Sequence, residues 1–433
     1  MASRKGRKRY AIVGIGGRSV MYSDAILAEY SDRAELVGIC DINEVRLDYA
    51  NRCFAEQYGA KPVPTYGTED FDRMIKERKV EVVIVTSIDR THHRYIVRAM
   101  ELGCDCITEK PMTVDGEKCQ AIFDAIARTG RKLRVTFNYR YTPPATKVKE
   151  LVMDGAVGEI LSADMQWLLD TRHGADYFRR WHRDKRNSGG LLVHKATHHF
   201  DLMNWWLDST PKTVFAMGDL RFYGRENAER RGVTKFYARA HGQPNAADDP
   251  FALHLAKDKR LKAMYLDAEK ADGYCRDQSV FGDGISIEDV MAVMVRYTNG
   301  VIFTYALNAF CPWEGVRVAL NGTKGRIELR DYHSSYISAQ VGAEMADQIT
   351  SSFEIMVHPH WKKPYRVEAP AVEGGHGGGD PRLLEDIFGT PAKDRTRRAA
   401  DHLAGARSVL IGAAANRSMR LERPVDISSL VQL

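Results

Sequence analysis

The sequence predicts two joined parts: an α/β part with a doubly wound parallel sheet, then an α+β part with a mostly antiparallel open sheet covered by helices. Three observations carry that expectation. Short apolar, β-branched runs alternate with helical patterns through the first third, as parallel βαβ units do. Beyond residue 160 the strands instead follow one another across turns such as Thr298-Asn299-Gly300 and Asn321-Gly322, which are hairpin signals. A chain of 433 residues also exceeds one ordinary domain. The division is expected at 1–137 and 138–433, with the last helix packing back on the first part.

The first run, Tyr10-Ala11-Ile12-Val13, stops at Gly14-Ile15-Gly16-Gly17-Arg18-Ser19, and a helical pattern follows through Ala25, Ile26, Leu27 and Tyr30. Strand, tight turn and helix in that order make a pyrophosphate site. The glycines let the backbone turn sharply and approach the ligand, and the helix N-terminus faces its negative charge. Ser19 stands where a third small residue keeps helix near strand. A second strand, Glu35–Cys40, ends at Asp41, about twenty residues on, where a carboxylate binds ribose hydroxyls and repels a 2′-phosphate. That favours NAD over NADP; the competing reading is an ordinary turn aspartate. A third strand, Val80–Thr86, leads to a helix with His92, Ile96, Ala99 and Met100. A fourth, Cys104–Thr108, runs into Glu109-Lys110-Pro111.

With these motifs the chain resembles the Gfo/Idh/MocA oxidoreductases, the group of glucose-fructose oxidoreductase and inositol dehydrogenase. The resemblance continues through Phe137–Tyr141, through LVMDGAVGEI at 151–160, through Trp181-His182-Arg183 and through Ser188-Gly189-Gly190. It implies an N-terminal Rossmann domain binding NAD through Gly14, Gly16, Gly17, Arg18, Ser19, Asp41, Thr86, His92, Glu109 and Lys110. It implies that Lys110 assists proton movement at a substrate hydroxyl, and that a cis bond precedes Pro111. It also implies a homo-oligomer formed through the C-terminal sheet. The chemical sense of the lysine is that hydride loss from an alcohol needs simultaneous proton loss, which a buried amine of lowered pKa can accept.

One stretch departs from the family. After the two glycines its dehydrogenases carry an aspartate, a histidine four residues later and an aspartate three beyond. Here GGLLVHKATHHFDLMNWW retains His198 and Asp201 but has His194 in the first place. On one helix His194 and His198 would share a face. Three readings stay open: His198 as acid/base beside Lys110 with His194 tuning the site; a metal chelate of His194, His198 and His376; and histidines that satisfy buried polar groups. The first is adopted, with no metal. Catalytic candidates are then Lys110, His198 and His194, and substrate candidates are Asn138, Arg140, Lys195, His199 and His376.

The second part is expected to form strands at Ile160–Gln166, Val290–Tyr297, Val301–Leu307, Arg317–Asn321 and Gly325–Arg330. Residues 221–283 read as an insertion forming a solvated helical flap, because long connections in compact domains often become lids. Asp380-Pro381, after the glycine-rich Gly374–Gly379, reads as a helix N-cap and first turn.

Composition sets bounds. The apolar share is 44%, the charged share 28% and the net charge +6, ordinary for a soluble globular protein. No apolar run approaches membrane-spanning length. The basic Ser3–Arg9 tail enters the first strand without a signal-peptide core, and no basic stripe interleaved with aromatics suggests nucleic acid. Seven cysteines lack the spacing of a disulfide framework or zinc finger, so a cytoplasmic protein with reduced thiols is expected. The reading is an NAD-dependent oxidoreductase acting on a hydroxyl or keto group of a sugar, cyclitol or glycoside. The alternative is a redox-neutral lyase or glycoside-cleaving enzyme that uses transient oxidation and elimination.

Overall fold

The computed structural model describes residues 6–337, 352–370, 375–390 and 393–432. Six strands build the first sheet: β1 (Lys8–Val13), β2 (Ala34–Cys40), β3 (Thr65–Tyr66), β4 (Val82–Val85), β5 (Asp105–Thr108) and β6 (Leu133–Val135). All their pairings are parallel, in the order β3-β2-β1-β4-β5-β6. The order reverses at β1, which pairs with both β2 and β4, and the crevice at that reversal is where open parallel sheets bind ligands. Helices on both faces explain why Val82–Val85 is buried at every position. The connecting helices carry their own stop signals: Asn43 and Asp115 cap starts, and Gly59 and Gly130 end helices in the left-handed conformation.

The second sheet comprises β7 (Ile160–Asp170), β8 (Pro211–Asp219), β9 (Val290–Tyr297), β10 (Ile302–Cys311), β11 (Glu314–Gly322), β12 (Gly325–Ser334), β13 (Ser352–Pro359) and β14 (Tyr365–Val367). Two short C-terminal strands extend the sheets: β15 (Ala400–Asp401) lies antiparallel to β6, and β16 (Val425–Asp426) antiparallel to β8. The second sheet is antiparallel except where β7 and β10 run side by side in parallel. Burial alternates along β9 and β10, as a sheet with one covered face requires. The long helix His402–Leu421 packs against β8 and the helix Thr197–Leu207, and also reaches β6 and the helix Gly116–Thr129 of the first part. One apolar cluster consequently runs without a break from Val83 and Ile122 to Val293 and Leu410; the other face of the first sheet has its own cluster, closed by Phe388.

The outer face of the second sheet leaves Met217 and Met294 exposed in a depression of about 690 Å³ that Phe215, Arg317 and Arg330 also line. Among the described residues no helix is long and apolar enough to cross a membrane. Cys40, Cys104, Cys106 and Cys119 are buried, and Cys275 and Cys311 are partly buried.

Three expectations need correction. Residues 221–283 are not a solvated helical flap. Their helical turns are short (Arg225–Arg230, Lys259–Leu261, Lys262–Leu266, Glu269–Asp272), and the segment docks on the nucleotide domain. Leu255, Met264 and Tyr265 are buried against Tyr49 and Tyr274. Arg46 Nη2 meets Asp272 at 2.7 Å, and Asn43 Nδ2 donates to Ala268 O at 2.9 Å. Charges that look solvated in sequence have partners across the fold. Second, Asp380 does not cap a helix start: the helix runs Gly375–Phe388 with Pro381 inside it, and positive φ at Gly377 and Gly378 breaks regular geometry just before the proline. Third, His194 and His198 do not share a helix. Leu191–His194 is one short helix, Thr197–Leu207 is the next, and Lys195-Ala196 turns between them.

Candidate active site

The glycine turn lies at the sheet's reversal point. A side chain on Gly14 would lie 2.4 Å from the Ser87 backbone, and φ there is +91°, so the β1 and β4 ends approach each other only because the residue is glycine. A side chain on Gly16 would meet nothing within 4 Å. That backbone faces open space at the start of the helix Ser19–Leu27, which suits a pyrophosphate. Ser19 Oγ donates to Gly16 O at 2.8 Å and Thr86 Oγ1 donates to Gly14 O at 2.6 Å, fixing the turn from both sides. At the end of β2 the Asp41 carboxylate accepts from Ile15 N at 2.5 Å and Asn43 N at 2.8 Å, with Arg46 at 3.7 Å. Burial raises its pKa while Arg46 opposes the rise. These residues fit a dinucleotide. The docked insertion borders the same turn: Arg260 and Met264 join Ile15, Gly16, Ser19 and Arg46 around a cavity of about 220 Å³.

Glu109 ties this turn to the lysine after it. Its Oε1 accepts from Arg18 Nε at 2.6 Å and from the Tyr22 hydroxyl at 2.7 Å, and its Oε2 from Lys110 N at 3.2 Å. Desolvation would raise the Glu109 pKa, but Arg18 and Tyr22 outweigh it, so the carboxylate stays charged. Arg18 continues to Asp380 at 3.2 Å, and Asp380 accepts from Asn138 Nδ2 at 2.7 Å, so the helix Gly375–Phe388 is tied to the glycine turn. The Lys110–Pro111 bond is cis. Burial lowers the Lys110 pKa to about 8, the Lys195 charge adds to the lowering, and Glu109 and Asp89 oppose it. An amine so placed accepts a proton near neutral pH.

The histidine turn faces this lysine. His194 Nδ1 lies 2.5 Å from Asp89 Oδ2, a carboxylate on the loop after β4. Burial holds the His194 imidazole neutral, with Lys110 and Arg180 adding to the effect, and it drives the Asp89 carboxyl up. Charge is disfavoured on both, and one proton belongs to the pair. The His182 ring lies 4.2 Å from that of His194, and the Tyr177 ring 5.5 Å from each. Tyr177 passes the network outward: its hydroxyl is 3.0 Å from His173 Nε2, and His173 Nδ1 is 2.9 Å from Glu314, which also faces His333.

The other candidate residues divide. His198 stacks on Tyr139 with ring centres 4.2 Å apart. Lys195 is buried beside the same tyrosine. His199 is fully buried, bonded to the Tyr305 hydroxyl at 2.7 Å and stacked on Trp167. Arg140 donates through Nε and Nη2 to both oxygens of Asp201, at 2.7 and 2.6 Å, and Asn138 is held by Asp380. His92 faces the Pro111 and Ser87 carbonyls at 2.9 Å each and braces the β4 and β5 loops. The side chain of His376 lies outside the described residues. Among the described residues no three His, Cys, Asp or Glu groups are placed to hold a metal ion. Sequence reading missed Asp89, Tyr177, His173 and Glu314. Asp89 alone carried a usable signal, since it follows the C-terminal end of a parallel strand.

Comparison with known proteins agrees with the geometry. Residues 8–137 match a family model described as oxidoreductase family, NAD-binding Rossmann fold, and residues 149–427 match the same family's C-terminal alpha/beta domain. YteT of Bacillus subtilis (strain 168), an oxidoreductase by name, is 34% identical over 445 residues, covering 98% of this chain and 99% of that protein. D-glucoside 3-dehydrogenase of Escherichia coli (strain K12) is 29% identical over 196 residues, 45% of this chain and 52% of the relative. The crystal structure of the WlbA dehydrogenase from Bordetella pertussis, in complex with NADH and UDP-GlcNAcA, superposes with a TM-score of 0.62 at 17% identity, covering 97% and 98% of the two chains. A glycine turn, a Glu-Lys-Pro at the end of the fifth strand and an open second sheet are thus found together in a chain that belongs to the Gfo/Idh/MocA family of NAD-binding oxidoreductases.

Proposed function

We propose that the chain oxidises a hydroxyl of a sugar, cyclitol or glycoside, or reduces the matching ketone. Lys110 takes the hydroxyl proton together with His198 as acid/base at that hydroxyl, and the His194–Asp89 pair is a further proton-handling group in the cleft. The observation that carries this reading is the placement of an amine of pKa about 8 next to a neutral histidine oriented by a buried carboxyl, in the cleft at the end of β4 and β5. NAD supplies the hydride acceptor when bound. Lys110 receives the proton while Glu109 and Arg18 fix its loop, and Asp89 sets the tautomer of His194. His198 keeps the role the resemblance gave it, at the substrate hydroxyl, against the flat face of Tyr139. The sugar dehydrogenase among the relatives supports the substrate class. The exposed apolar face of the second sheet supports pairing with a second copy through it.

A second reading has one observation in its favour. His182 and the His194–Asp89 pair give more proton acceptors than a single dehydrogenation needs. Transient oxidation acidifies the C–H next to the new ketone, and such a base then promotes elimination of a neighbouring substituent before the carbonyl is reduced again. A screen of free sugars, 3-keto sugars and aryl glycosides that follows NADH absorbance and aglycone release together tests both. Net NADH formation on free sugars supports dehydrogenation. Aglycone release without net NADH places elimination first, and inactivity on every compound while NAD still binds overturns both.

A further inference from the structure

Lys195 is a buried lysine with no carboxylate at ion-pair distance among the described residues. It is 3% exposed, on the turn between the helices Leu191–His194 and Thr197–Leu207. Its ammonium lies 4.9 Å from the centre of the Trp167 ring, 5.7 Å from that of Tyr139 and 3.4 Å from the Tyr139 hydroxyl. Among the described residues no carboxylate is within ion-pair distance of it. Glu314, the carboxyl on which the Lys195 charge acts, is already committed to His173 at 2.9 Å and to His333. Guanidiniums around the same site are treated differently, with Arg140 paired to Asp201 and Arg180 to Asp176.

An ammonium removed from water needs compensation. Two aromatic faces attract a cation but carry no net charge, so they hold Lys195 in place without neutralising it. The same charge works on the reaction centre, since Lys195 is among the causes that lower the pKa of Lys110 and of His194. A negative group brought in with the substrate would supply the missing partner.

We propose that Lys195 receives a carboxylate of the substrate, so that the sugar oxidised at Lys110 is a sugar acid such as a uronic acid or its glycoside; this rests on the dehydrogenase reading above. A carboxylate fits better than a phosphate. One monovalent ammonium beside two aromatic rings balances a single negative charge, and the neighbouring guanidiniums of Arg140 and Arg180 are already paired to Asp201 and Asp176.

The test uses matched pairs with the NAD-supplied enzyme: methyl glucoside against methyl glucuronide, methyl galactoside against methyl galacturonide, and glucose 6-phosphate and galactose 6-phosphate. Wild type, Lys195→Met and Lys195→Arg are compared. In wild type, kcat/KM for the acid should exceed that for its neutral partner by about 10- to 100-fold, the value of a charged hydrogen bond. Lys195→Met should erase that ratio by raising KM for the acid, because its effect through Lys110 falls on acid and neutral partner alike while the lost carboxylate contact falls on the acid alone, and Lys195→Arg should keep the ratio. Equal or better turnover of neutral sugars by wild type, a preference for the 6-phosphates, or equal loss on both partners in Lys195→Met would each overturn the proposal. Titrating the same compounds into the NADH-loaded protein separates this inference from the reading beneath it. If no sugar is oxidised but acids still bind more tightly than neutral partners, and lose that advantage in Lys195→Met, the subsite stands and the dehydrogenase reading falls. Equal binding of acid and neutral sugar removes the subsite whatever the chemistry.

Discussion

Lys110 occupies a place where its charge is costly, and that sets a pH dependence. Desolvation and Lys195 pull its pKa from the usual 10.5 down to about 8 against the opposing pull of Glu109 and Asp89, with Arg18 also facing it. Only the neutral amine accepts a hydroxyl proton, so kcat/KM for oxidation should rise as pH increases through about 8. Lys110→Ala should abolish that limb and lower turnover by about two to four orders of magnitude, with the dissociation constant for NADH within several-fold. Near-wild-type turnover in the variant removes the lysine from the mechanism. Asp89 acts through His194, as a positioning residue. Asp89→Asn keeps the shape but removes the ionisable carboxyl that shares a proton with His194, and kcat/KM should fall by about one to two orders of magnitude with an altered pH profile. Because the two residues form one unit, adding His194→Ala to Asp89→Asn should cost little more. Fully additive losses would show that they work separately.

Among the elements, β11 and β12 carry an ionic group of their own. Burial opposes charge on His333, yet its bonds to Asp331 and Glu314 prevail and push its pKa up to about 9. The Glu314 carboxyl is held well below its usual range by His173, against its burial. A histidine whose folded pKa exceeds its unfolded value stabilises fully below about 6.5 and loses that contribution as pH rises through about 9. The melting temperature of wild type should therefore exceed that of His333→Gln most at pH 6, and the difference should shrink by pH 10. A difference independent of pH would mean that His333 contributes by packing against Trp167 alone.

The whole molecule joins its cofactor cleft from distant parts of the chain. Asp41 stands at the end of β2, where a carboxylate is positioned to bind ribose hydroxyls, and NAD is therefore expected to bind more tightly than NADP. Asp41→Ala should narrow that gap, because it removes both the ribose contact and the repulsion of a 2′-phosphate; tighter NADP binding by wild type would show that the carboxylate does not face the ribose. Arg46 links Asp41 to Asp272 of the insertion, and Asp380 links Arg18 to Asn138, so segments more than two hundred residues away close the nucleotide site. The continuous apolar cluster under the helix His402–Leu421 gives those links a rigid base.

By itself the sequence determined the local elements and the motifs that sit on them. Strand, glycine turn and helix at 10–27, the Glu-Lys-Pro after β5 and the alternating strands from 290 to 330 all follow from periodicity, turn chemistry and contiguous residues. Their physical causes lie within a few positions along the chain. Tertiary structure decided which side chains meet. The pairing of His194 with Asp89 spans the interval between two domains, and the break at Lys195-Ala196 turns His194 away from the helical face that its spacing to His198 implied. Arg140 and His199 read as pocket residues until their partners, Asp201 and Tyr305, are seen beside them. The charges of the 221–283 insertion read as solvated until Arg46 and Asn43 receive them. Burial and partnership are set by contacts between residues far apart in the chain, and no local pattern records them.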